Sequence, residues 1–288
     1  MKGKNMNIQK VPFTKIQAYG NAYIFVNAFV EQIENPGELS RQMSNRYFGI
    51  GSDGMVLVCP SKVCDVRMRI FNPDGSEAEM CGNALRGTAN FAYTYGLAKK
   101  EVITVETLGG LQTVTLNFKD GEIESLTANI GKPRLLSKDV PVKTELETFM
   151  HQEILAGDQK YFASSLSWGN PHTLIECEDL EHLEIEKYGP LIECHDLFPS
   201  KTNVTFGRVK DESHIEIREW ERNTGETIGC GTGCCTSLVY FNLLGKCGRE
   251  VDVKQPGGTL HAFWNEKDEM IMTGESKIVC EGVFNYEA

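Results

Sequence analysis

Apolar and polar residues alternate in two short stretches that are followed by the same succession of signals. In the first, Val66, Met68 and Ile70 alternate with Asp65, Arg67 and Arg69; in the second, Ile215 and Ile217 alternate with His214, Glu216 and Arg218. A period of two predicts a half-buried strand at each place. A turn-forming run follows both strands, NPDGSEAE in one and ERNTGET in the other. The period then lengthens. Leu85, Ala89, Ala92 and Tyr95 mark one helical face, and Leu238, Val239, Phe241 and Leu244 mark another. Each helical run closes at a glycine, Gly96 or Gly245, the usual residue just past a helix end. Further short β-branched segments, Val102 to Leu116 and Val251 to Phe263, predict more strands. The fold class expected is α+β: two sheet-rich halves, each a mostly antiparallel sheet or barrel around one central helix.

The repetition has a fixed offset. Cys81 in MCGNALRG and Cys230 in GCGTGCCTS lie 149 positions apart in a chain of 288. The same offset carries Gly20-Asn21 to Gly169-Asn170, Glu77 to Glu226, Gly96 to Gly245, Val102 and Val105 to Val251 and Lys254, and Gly109 to Gly258. One register without insertion or deletion indicates an internal duplication, with a repeat too long for a solenoid. The expected domains are 1–130, rejoined by the C-terminal segment 275–288, and 131–274. A pseudo-two-fold relation would place the active site in the cleft between them.

Composition narrows the function. The net charge of −11 argues against nucleic acid or an anionic membrane as the main partner, while leaving room for a local pocket that holds a small anion. No apolar run approaches the roughly 18 residues of a membrane span, and MKGKNMNIQKVPF lacks the apolar core of a signal peptide. A cytoplasmic protein is expected. Ten cysteines fit neither a secreted disulfide scaffold, given the chain's length and the lack of an export signal, nor a zinc site, because no pair of C-x2-C motifs is present. Most read as small core residues. Cys81 and Cys230 do not.

A cysteine at a helix start faces free N–H groups and the positive end of the helix dipole. That setting predicts a thiol pKa below the ordinary value of about 8.5. The glycine behind each cysteine lets a substrate approach the backbone, whose N–H groups can bind a carboxylate. One thiolate on one face of a carbon and one thiol on the other can remove and replace a proton with inversion, without pyridoxal phosphate. No cofactor and no metal is expected. A redox pair is the weaker alternative, since CxxC is absent.

With these motifs in hand, the sequence resembles the diaminopimelate epimerase family across nearly its whole length. The matching phrases are FTKIQAYGNAYIFV, SNRYFGIGSDG, RIFNPDGSEAEMCGN, WGNPH, NVTF, WERNTGETIGCGTG and QPGGTL. The resemblance implies the pseudosymmetric two-domain fold, with Cys81 and Cys230 as acid/base pair in the interconversion of LL- and meso-diaminopimelate. That reaction serves lysine and cell-wall precursor synthesis. It also implies that Asn21 and the backbone at Gly82-Asn83 and Gly231-Thr232 bind the reacting end of the substrate. Asn72, Asn170, Asn203, Glu221 and Arg222 would hold the far amino-acid group, Arg222 pairing with its carboxylate. His172 and Glu221 would tune the thiols, and the family tendency is a homodimer. The partner expected is a small amino acid.

Departures from the family pattern fall at Ala22, Gly54, Ala84 and Gly87, with Ala84 expected to add a methyl beside the carboxylate-binding amides. They leave open a racemase of another amino acid, histidine among them, and more remotely an amino-acid-binding protein without turnover.

Overall fold

The structure is a computed structural model that describes residues 8–287. The described chain divides into two compact units, one formed by 8–128 and 275–287, the other by 129–274. In the first unit, strands β1 (Ile8–Ala18), β2 (Asn21–Asn27), β3 (Met55–Cys59), β4 (Val66–Phe71), β5 (Glu77–Ala78), β6 (Val102–Thr107), β7 (Gly110–Lys119) and β8 (Glu122–Asn129) accompany helices α1 (Pro36–Ser44) and α2 (Gly82–Thr94). In the second, strands β9 (Gln152–Ala156), β10 (Gln159–Ser167), β11 (Pro171–Glu176), β12 (Asn203–Asp211), β13 (His214–Glu221), β14 (Gly225–Thr227), β15 (Glu250–Gln255), β16 (Gly258–Trp264) and β17 (Met270–Gly274) accompany α3 (Ile185–Glu193) and α4 (Gly231–Leu243). The last strand, β18 (Lys277–Glu287), pairs with β1 and so closes the first unit.

The two ladders repeat one another. In the first unit β2 runs parallel to β3, β3 antiparallel to β4, β4 parallel to β6, and β6 antiparallel to β7. In the second β11, β12, β13, β15 and β16 follow with the same senses. Even the register repeats: Ile24 faces Met55 as Thr173 faces Val204, and Met55 faces Phe71 as Val204 faces Trp220. Among the described residues the pairings within each unit are mostly antiparallel, with two parallel pairs apiece.

Two expectations need correction. The fixed offset ends after the central helices. Val66 faces Val105, whereas Ile215 faces Val253 rather than Lys254, and the hairpin pair Thr107–Gly110 corresponds to Gln255–Gly258. Gly96 and Gly245 still match, both with left-handed φ (74° and 69°) just past the helix. The second copy is therefore one residue shorter in the loop before β15, where a turn absorbs the change without disturbing a ladder. The central helices are also not one-faced. Residues Gly82 through Ala92 are all buried, as are nearly all of Gly231 through Phe241. A helix wrapped by its own sheet has no solvent face and need not be amphipathic.

Helices α1 and α3 are a further repeat, each nine residues long and offset by the same 149 positions. Asn35 caps α1 by accepting the Glu38 N–H at 3.1 Å, and Pro36 opens it. Leu39 and Met43 of α1 bury against Ile24, Met55 and Phe71. Ile185, Tyr188 and Ile192 of α3 bury against Ile175, Val204 and Phe206.

Candidate active site

In each unit a cysteine occupies the last extended position before the central helix. Cys81 has φ −147° and ψ 124°, Cys230 has φ −124° and ψ 109°, and each carbonyl accepts the first helical N–H bond, from Leu85 and Cys234. Glycine follows in both cases, and Gly82 and Gly231 are buried. The loops leading in are braced alike. Arg69 grips Glu77 through two nitrogens at 2.7 and 2.8 Å, and Arg218 grips Glu226 at 2.9 and 2.8 Å. The two glutamates that precede the cysteines by four positions therefore fix the loop and are spent on arginine.

Around Cys81, the Tyr23 hydroxyl donates to the sulfur at 3.5 Å. Asn21 and Asn83 meet directly, Asn83 Nδ2 donating to Asn21 Oδ1 at 3.1 Å. Asn21 Nδ2 in turn donates to Asp53 at 2.9 Å, and the same carboxylate oxygen takes the Ala22 N–H at 2.7 Å. Behind them lies Arg86, fully buried, donating to Asn83 Oδ1 at 2.6 Å. A buried cation thus orients the amide that follows Cys81 by two residues. Asn72 sits apart from this chain, in the loop after β4, bonded to Ser76 through backbone and side chain at 2.8 and 3.0 Å.

The unusual small residues here have steric causes. A Cβ at Gly54 would stand 2.5 Å from the Phe71 carbonyl oxygen and 3.0 Å from the Tyr23 ring, and its φ of 150° suits glycine. A Cβ at Gly87 would stand 2.5 Å from Phe25 Cζ. The Ala84 methyl is 0% exposed, turned into the core by the helix.

The second unit is built differently. Cys230 Sγ accepts the Gly233 N–H at 3.4 Å and lies 3.5 Å from the Thr232 hydroxyl, while the Cys230 N–H donates to Gln255 Oε1 at 2.8 Å. The lowered thiol pKa expected for a helix start is overturned here. Burial pushes the Cys230 thiol up, and the nearby Glu219 and Glu221 carboxyl groups add to it, outweighing the Thr232 and Gly233 donors.

His172 and Asn203 face each other across the β11–β12 ladder. His172 is fully buried, and burial lowers its pKa to about 3, the Arg222 charge acting in the same direction. It is a neutral imidazole at any working pH. Asn203 donates to the Pro171 carbonyl at 3.0 Å, lies 3.5 Å from His172 Nε2 and accepts the Arg222 N–H at 2.9 Å, which ties three expected site residues together. The Arg222 guanidinium reaches the Ser200 carbonyl at 3.1 Å, and Glu221 accepts the Thr227 hydroxyl at 2.7 Å. Asn170 lies half-buried in the turn before β11, where its carbonyl takes the Trp168 N–H at 3.3 Å.

Several participants were not anticipated from sequence: Tyr23, Asp53, Arg86, Gln255 and Glu219. A signal existed for Glu219, which falls on the inward phase of β13 with Ile215 and Ile217. Nothing in the local pattern marks Arg86, because its burial comes from the sheet closing over α2.

Comparison with known proteins agrees over both halves. The family model described as diaminopimelate epimerase matches residues 13–136 and 164–279. A protein of Methanococcus maripaludis named diaminopimelate epimerase is 45% identical over 94% of this chain and 98% of its own. Proteins of that name from Desulfovibrio desulfuricans and Bacillus cereus are 43% and 40% identical, covering 94% and 96% of this chain and 97% of each relative. Among solved structures, a hydroxyproline epimerase of Agrobacterium vitis aligns with a TM-score of 0.71 at 13% identity, over 98% of this chain and 93% of its own. A phenazine biosynthesis protein of Bacillus anthracis aligns at 0.69 and 19%, over 96% and 99%. These two show the fold alone.

Proposed function

The chain belongs to the diaminopimelate epimerase family, and we propose from that premise that it interconverts LL- and meso-diaminopimelate with Cys81 and Cys230 as its two bases. What carries the proposal is the repeated construction in both matched halves: a cysteine in the last extended position before a buried helix that opens on glycine.

The proton accounting is simple. A thiolate takes the α-proton and becomes a thiol, leaving a carbanion beside the substrate carboxylate. The opposite thiol gives its proton to the other face and becomes a thiolate, so net charge is unchanged. The α-proton of an amino acid is a very weak acid, so stabilising the carbanion is the demanding step. Amide N–H groups at Gly82-Asn83 and Gly231-Thr232, with the dipoles of α2 and α4, supply fixed positive potential for that charge. Asn21, held by Asn83 and Asp53, is pre-oriented for the reacting end.

The distal amino-acid group falls to Asn72, Asn170, Asn203, Glu221 and Arg222. Arg222 matches a carboxylate and Glu221 an ammonium. Neutral His172, fully buried beside Asn203 and Glu219, stiffens this wall. No helix among the described residues is long and apolar enough to cross a membrane. We place the protein in the cytoplasm, as a homodimer acting on a small amino acid.

Chiral chromatography of the purified protein with LL-diaminopimelate should show the meso isomer accumulating to equilibrium. Inversion of histidine or another monocarboxylic amino acid, with diaminopimelate untouched, overturns the substrate. Binding without inversion of any amino acid overturns the epimerase.

A further inference from the structure

Glu219 is an acid in an aliphatic slot. At the equivalent place in the first unit Ile70 is 1% exposed and faces Ala78; Glu219 is 2% exposed and faces Thr227. An isolated ionised carboxylate so buried is strongly disfavoured. Burial accordingly pushes the Glu219 carboxyl well above the ordinary carboxylate range.

Its surroundings come from four elements. Thr205 on β12 donates to Oε2 at 2.6 Å. At the first turn of α4, a Cβ on Gly233 would stand 2.4 Å from that same oxygen, so the carboxyl group abuts the helix start. Gly233, crowded by that oxygen, also donates its N–H to Cys230 Sγ at 3.4 Å, so the carboxyl group and the sulfur meet at one helix-start residue. Oε1 has no hydrogen-bond partner and faces His172 Nδ1 on β11, itself buried and unbonded, at 3.7 Å. Glu221, on the same strand, adds a second negative charge, and the Arg222 charge acts on His172. The position is therefore a buried polar cluster against the helix-start turn that holds one sulfur, where the first unit has Ile70.

From this geometry we infer that Glu219 is a positioning residue for Cys230: its buried carboxyl group, seated behind the sulfur, keeps Cys230 a thiol while the site is empty. Two negative charges cannot share so small an apolar space, so thiol and carboxyl lose their protons as a coupled pair. The carboxyl group, by its ordinary pKa the stronger acid of the two, gives up the first proton, and the carboxylate that results opposes ionisation of the Cys230 thiol. A two-base inversion needs its bases to begin in opposite protonation forms. Glu219 settles which: the second unit presents the acid and Cys81 the resting base. The inference rests on the proposal that these two cysteines are the acid/base pair.

The test is an NMR titration of cysteine labelled at Cβ, with the Cys230 signal assigned by its loss in Cys230→Ser. In Glu219→Gln, which keeps shape but cannot ionise, the Cys230 midpoint should fall by about one pH unit or more. The kcat for the isomer that needs Cys230 as acid should fall about tenfold, with KM changed less than about twofold. An unmoved Cys230 midpoint in a folded Glu219→Gln protein overturns the inference. If that variant does not fold, linkage offers a second measurement in the native background. The Glu219 carboxyl titration must then move on Cys230→Ala, because coupling is reciprocal, and an unchanged carboxyl midpoint is equally fatal. Turnover retained in Cys230→Ala would sink the two-thiol proposal while leaving both titrations readable.

Discussion

The two helix starts share a backbone and differ in nearly every side chain around the sulfur. Cys81 is half-buried, touched by a neutral hydroxyl, and backed by a chain of amides that ends on the buried cation Arg86. Cys230 is buried, touched by the Gly233 amide, and backed by the buried acid Glu219. The residue 149 positions after Arg86 is Cys235, and the residue 149 before Glu219 is Ile70. Each unit thus carries one buried charge-bearing side chain where the other carries an apolar one. Duplication supplies two equivalent ways to hold a thiol, and subsequent substitution makes the thiols unequal. On the proposed reading, symmetry serves the reacting carbon, while asymmetry sets the protonation forms and distinguishes the two ends of the substrate.

The largest effect expected is on chemistry. Cys81→Ala and Cys230→Ala should each reduce turnover by about a thousandfold or more, measured with LL-diaminopimelate. Full activity in either would break the equivalence of the two helix starts.

Packing behind the helices should separate the units next. Gly87→Val forces a side chain against Phe25 and should destabilise the protein by about 1–3 kcal/mol. Thr236, which stands at the equivalent place, instead spans the Thr232 carbonyl at 2.8 Å and the Trp168 indole N–H at 3.1 Å. Thr236→Ala should cost about 1 kcal/mol through those bonds. Denaturant midpoints of the two variants test the contrast, and a larger cost for Thr236→Ala than for Gly87→Val would contradict it.

The two buried titratable neighbours in the second unit act on stability with opposite signs. His172 titrates at about 3 in the folded chain, so between that value and the ordinary 6.5 the unfolded chain binds more protons. Stability should therefore fall as pH drops through this window. Glu219 keeps its proton above the ordinary 4.5, so its contribution is full below that value and is lost as pH rises toward the folded pKa. His172→Asn should flatten the acid side of a stability-versus-pH curve by a few kcal/mol and leave the alkaline slope in place. An unchanged acid slope would mean that His172 is not held neutral.

The smallest difference should lie between the two loop braces. Glu77→Gln and Glu226→Gln each remove a half-exposed arginine pair and should cost less than about 1 kcal/mol apiece in thermal melts.

Much of this was legible because duplication wrote it twice. The strand before each cysteine, the polar loop and the left-handed glycine after each helix follow from periodicity and turn chemistry alone. The repeated nine-residue helices α1 and α3 were not, since too few residues carry each pattern and their apolar faces differ. The one-residue slip before β15 was invisible because valines at both Val251 and Val253 satisfy either register. Cys230 was misjudged for a physical reason: a helix dipole is a local effect at the terminus, and burial beside two acids exceeds it. Only the fold places Glu219 on the inner face against that sulfur.

The central claim is that two separate thiols work on one carbon, and the first turnover in heavy water addresses it. LL-diaminopimelate incubated with the enzyme in deuterium oxide should give meso product carrying one deuterium at the inverted centre, while unreacted LL substrate stays unlabelled at early times. Deuterium appearing in recovered LL substrate as fast as in product would mean that one base serves both faces, and would contradict the account.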